Sequence, residues 1–146
     1  MKNLSKLAHN TAKFAVVSRN KKWLLVKVFF VLTIYKFLLF VFPFNQFFKE
    51  AKNLSYTKKS PSVNTLNTIV WAINSVSNNV PLGFTCLVQA LSAKWLLKNH
   101  PDVRVCIGVN KSTTQDFSAH AWVIYKNRII LGEQTTQRFE PILEWN

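Results

Sequence analysis

The stretch GFTCLVQALSAKWLL, residues 83–97, places a cysteine where a helix should begin. Pro81 and Gly83 punctuate the chain just before it, and Thr85 is a residue type that caps a helix with its hydroxyl. From there Leu87, Val88, Ala90, Leu91, Trp95 and Leu96 make the segment apolar on most sides, which predicts a buried central helix ending near Asn99, before Pro101. A thiol is a useful nucleophile only as thiolate, and the partial positive charge of a helix start favours that form. Backbone N–H groups at the same terminus can also hold an oxyanion. The plainer reading of Cys86 is packing, since cysteine is among the most buried residue types.

Downstream of this helix the period changes from three or four to two. Val103, Val105, Ile107 and Val109 alternate with Arg104, Cys106 and Gly108, which predicts a strand. Residues 117–125 predict a second strand and 128–133 a third, joined by a two-residue turn at Lys126-Asn127. Upstream, Leu66, Ile69, Ile73, Val76 and Val80 recur at helical spacing over residues 63–80, a helix stopped by Pro81. Helices first and antiparallel strands after make an α+β domain.

The run WLLVKVFFVLTIYKFLLFVFPF, residues 23–44, raises the question of a membrane. Lys27 and Lys36 interrupt it and leave only Val28 to Tyr35 free of charge between them, short of the ~18 apolar residues of a spanning helix. Lysines near helix ends can snorkel, so three readings stay open: a helix packed on the domain or on a partner, one lying on a membrane surface through residues 23–42, and one that spans. Pro43 ends the helix, and KEAKNLSYTKKSPS, residues 49–62, reads as a linker. The chain thus divides into a basic N-terminal arm with an apolar docking helix, residues 1–60, and a core, residues 61–146, forming one compact domain overall.

With 146 residues the chain suffices for one such domain. Its 49% hydrophobic and 14% aromatic residues, with mean hydropathy +0.07, imply apolar surface that faces a partner or a membrane. The net charge of +13 is uneven: residues 1–60 carry 12 of the 19 Lys and Arg against a single acid, Glu50. Such a segment attracts anionic lipid or an acidic protein; no nucleic-acid-binding signature accompanies it, and nucleic acid is not expected as a partner. The first long apolar run begins only at Trp23, so no secretory signal is read and a cytoplasmic location is expected, membrane association aside. There Cys86 and Cys106 should be free thiols, and their spacing to His100 and His120 fits no common zinc pattern.

His120 lies mid-strand in FSAHAWVIYKNRIILGE, residues 117–133, sharing a face with Ser118 and Trp122. If Tyr125 pairs with Arg128 across the turn, an unbroken ladder sets Glu133 opposite His120, with Cβ atoms about 5 Å apart. A base oriented by an acid, beside a helix-start thiol, is the logic of Cys-His-acid enzymes. A register slip would bring in Asp116 instead. Cys106, mid-strand, reads as a structural thiol, and His100 beside Pro101 as a helix cap; His9 is assigned nothing.

The elements VPLGFTCLVQALSAKWLL, VRVCIGV, FSAHAWV and RFEPIL, in this order, resemble the leader peptidases of lasso-peptide biosynthesis. The resemblance covers about residues 22–146. It implies a transglutaminase-like, papain-related core and a cytoplasmic cysteine protease that removes the leader from a ribosomally made precursor. Cys86 and His120 match the family's catalytic pair; its third member is an aspartate on the following strand, where this chain has Gly132-Glu133. The implied partners are the precursor's leader, a separate leader-recognition protein and the lasso cyclase that closes the ring. No cofactor is implied, and ATP dependence is left open. Read alone, the residues support a thiol protease, an acyltransferase or transglutaminase of the same core, a non-catalytic peptide-binding scaffold, or a small membrane-anchored protein.

Overall fold

The computed structural model describes residues 18–43, 62–98, 100, 102–110, 118–135 and 138–145. The first 17 residues of the basic arm, with His9, lie outside these, as do residues 44–61 with most of the linker, and Asp116 and Phe117. Among the described residues three helices come first: α1 (Arg19–Val41), α2 (Val63–Asn79) and α3 (Cys86–Leu96). Four strands follow: β1 (Val103–Asn110), β2 (Ser118–Tyr125), β3 (Arg128–Leu131) and β4 (Glu140–Trp145), paired antiparallel in the order β3-β2-β1-β4. This is the α+β arrangement that the change of period predicts.

Two helix starts and two helix ends have local reasons. The Ser62 hydroxyl accepts from the Thr65 N–H at 3.2 Å and starts α2, while the Thr85 hydroxyl accepts from the Val88 N–H at 3.4 Å and starts α3. Pro43 and Pro81 follow the ends of α1 and α2, where a ring without an N–H cannot continue the ladder. Helices and sheet share one core: Leu25, Val28 and Leu32 of α1, Ile69 and Ile73 of α2, Val88 and Ala93 of α3, and Val105, Ala121, Val123 and Leu131 of the sheet. α1 is therefore docked along one side. Its Lys36, an apparent interruption of an apolar run, donates to the carbonyl of Leu82 and lies 3.5 Å from that of Gly83, in the turn that launches α3.

The sheet departs from the expected ladder at one point. Lys126 and Asn127 form the anticipated turn, with φ of 46° and 64°. Tyr125 pairs with Arg128 and Ile124 with Ile129, but Val123 then pairs with Leu131. Ile130 is the extra residue of a bulge, and the shift lets Leu131 reach the core beside Val123. The unbroken register that set Glu133 opposite His120 is thereby overturned. β4 is also absent from the sequence-based expectations. It is an edge strand, exposed along most of its length, and Pro141 sits in it as edge strands allow.

Candidate functional site

Cys86 is the first residue of α3, half-buried against the shared core, where the helix's first N–H groups are unpaired by the helix itself. Beside it a groove of about 650 Å³ runs between α1 and the start of α3. Phe37, Phe40, Leu82 and Leu87 make it apolar, with Thr85 and Lys36 as its polar points. Residue spacing offers no hint of this groove, because its walls come from segments far apart in the chain.

His120 sits elsewhere. Strand alternation puts Ala121 and Val123 on the side that packs on the helices, so His120, Trp122, Gly108 and Cys106 share the other. Its Nε2 lies 2.7 Å from the Gly132 carbonyl oxygen. A carbonyl only accepts, so Nε2 carries the proton and the neutral ring presents Nδ1 as its basic nitrogen. The ring stacks on Trp122, centroids 6.1 Å apart, and tilts against Phe139 at 5.1 Å. These groups line a second cavity, about 660 Å³, with Asn110, Gln134 and Arg138.

Gly132 makes that arrangement feasible. Its φ is +80°, and a Cβ there would meet the Ala121 carbonyl oxygen at 2.8 Å. Only glycine turns the chain at this point while bringing its carbonyl to the imidazole. Glu133, next along, is exposed and makes no hydrogen bond to His120. The group that holds the histidine is thus a backbone carbonyl one residue before the anticipated carboxylate. Among the described residues no hydrogen bond joins Cys86 to His120, and the two lie toward opposite faces of the sheet.

Cys106 is 1% exposed in mid-strand, opposite Glu144 of β4. Burial, and then the Glu144 carboxylate, push its pKa from 9.0 up to about 11, against the opposing pull of Arg104. Arg104 pairs with Glu144 and donates to Asn127 Oδ1 at 2.9 Å, clamping β4 to the β2–β3 turn. Such a thiol stays protonated at neutral pH. Among the described residues the other strongly shifted group is Lys94, lowered to about 8 by burial, with its ammonium donating to the Val103 carbonyl at 2.9 Å.

The transglutaminase-like superfamily profile matches residues 31–144, from the middle of α1 to the end of β4. The chain belongs to the transglutaminase-like superfamily. The match covers Cys86, His120 and both cavities, and its members include cysteine proteases and transglutaminases. No curated protein and no solved structure gives a significant match to the chain.

Proposed function

We propose that this chain is a cysteine peptidase that removes the leader from a lasso-peptide precursor, together with a separate leader-recognition protein. The observation that carries the reading is Cys86 at the first residue of a capped helix within a transglutaminase-like chain. The T-C-L-x-x-A-L and A-H-A-W-V elements support the narrower choice of leader peptidase.

His120 Nδ1 takes the proton of the Cys86 thiol, the resulting thiolate attacks the scissile carbonyl, and N–H groups at the start of α3 meet the oxyanion. Collapse of the tetrahedral adduct expels the amine, which takes a proton from the His120 imidazolium. Water, deprotonated by His120 Nδ1, then hydrolyses the thioester and returns the thiol. The apolar groove beside Cys86 takes side chains of the precursor. Thiol and imidazole do not touch in the described conformation, so the reading places a rearrangement that brings them together on the path to the active complex.

That separation favours a second reading, a non-catalytic peptide-binding scaffold in which Cys86 merely packs. Incubating the full chain with a synthetic lasso precursor and the recognition protein, read by mass spectrometry, decides between them. The expected result is free leader from the wild type and none from Cys86→Ala. Cleavage retained in Cys86→Ala overturns the thiol mechanism, and an isopeptide or transferred acyl product makes the chain an acyltransferase. No product together with an unreactive Cys86 supports the scaffold.

A further inference from the structure

We propose that the outer side of α1 lies on an anionic lipid surface, holding the folded domain against a membrane without crossing it. Trp23, Val26, Phe30, Ile34, Phe37 and Val41 follow one another at spacings of three and four, on the side of α1 opposite Leu25, Val28 and Leu32. Trp23 is 75% exposed, Phe30 58%, Ile34 54% and Phe37 64%. At 1.5 Å per residue the stripe is about 27 Å long. A helix that is apolar on both sides needs a non-aqueous neighbour on each. The core supplies one, and among the described residues nothing covers the other.

Charge and rim chemistry select lipid as that neighbour. The chain has no Asp or Glu before Glu50, while Lys21, Lys22 and Lys27 flank the N-terminal half of the stripe. Exposed Trp71 and Trp95 stand beside α1 with Lys21, Lys27 and Lys98 at 5.1–5.9 Å from their rings. Tryptophans and lysines around an apolar strip are the groups that settle at the headgroup level, where the indole is half wet and the ammonium meets lipid phosphate. α1 is long and apolar enough to span by length and composition, but the inner side of the same helix argues against crossing. From Leu24 to Leu39 it is occupied by the core, and Lys36 is held by the turn before α3.

The test is flotation of the full chain with phosphatidylcholine vesicles, with and without phosphatidylglycerol, together with quenching of its tryptophans by brominated lipid. Flotation with the anionic vesicles, weakened by high salt and accompanied by quenching, is expected. Phe30→Ser and Ile34→Ser should each lower the partition about tenfold or more, as loss of one buried apolar side chain implies. Both residues are exposed, so circular dichroism should stay unchanged; Ile142→Ser, an exposed apolar residue on β4, should leave partition unchanged. Equal flotation of wild type and the Phe30→Ser/Ile34→Ser double variant overturns the proposal. So does a chain that floats with neither vesicle, including one that forms a soluble dimer broken by the same substitutions, which would make the occupant a second copy.

Discussion

Cys86 and Cys106 are one side chain in two settings. The first opens a helix, half-buried, with unpaired N–H groups and an apolar groove lined by its neighbours Thr85 and Leu87. The second is sealed in a strand beside a carboxylate, and its thiol is pushed up to about 11. Burial and the Glu144 carboxylate set the chemistry of the second, and the start of a capped helix sets the surroundings of the first. A helix start brings unpaired donors to a thiol, whereas mid-strand both backbone groups are spent on the ladder.

Alkylation of the folded chain near neutral pH is the strongest way to break this contrast. A thiol with a pKa of about 11 is ionised in roughly one molecule in ten thousand at pH 7, so Cys106 should label orders of magnitude more slowly than Cys86. Peptide mapping of the adduct reads the ratio, and comparable labelling would erase the distinction. The next effect concerns the imidazole. Gly132→Ala crowds the Ala121 carbonyl and strains a positive φ, so it should destabilise the fold by about 1–3 kcal/mol and shift the His120 resonances, seen by denaturation and NMR.

A smaller effect separates the cysteines by pH. The folded pKa of Cys106 is raised, so its contribution to stability is complete below pH 9 and is lost as pH rises through about 11. Cys106→Ala should therefore flatten the fall in stability between those values. Lys94, lowered to about 8, acts in the opposite sense between there and 10.5 but is present in both chains and cancels in the comparison. The smallest expected change is from Glu133→Gln, which should leave the rate and the stability nearly untouched because the Gly132 carbonyl holds His120. A large loss of rate would restore the carboxylate to the mechanism.

Helix and strand periods made most of the fold legible: α2, α3 and its Thr85 cap, the β1–β2–β3 order and the Lys126-Asn127 turn follow from residue spacing. β4 stayed hidden because an edge strand buries few side chains, and Ile142 beside Leu143 shows no alternation. The bulge at Ile130 stayed hidden for another reason. RIILGE contains nothing that distinguishes an even ladder from one with an extra residue, and the choice is made by the core's demand for Leu131. That single inserted residue is why residue spacing placed Cys86 at a helix start and His120 in a strand but did not anticipate the Gly132 carbonyl as the partner of the imidazole. The groove beside Cys86 depends on α1 folding back on a turn distant in sequence, which no local pattern encodes.

Lys36 and the carbonyl it holds at Leu82 are 46 residues apart. Closing a loop of that length costs conformational entropy before its contacts reward it, so such contacts form late in folding. The turn ahead of α3 thus gains its ammonium clamp only after α1 has docked, and the surroundings of Cys86 stay unfinished until then. A newly made chain therefore completes the turn ahead of Cys86 only once α1 is in place.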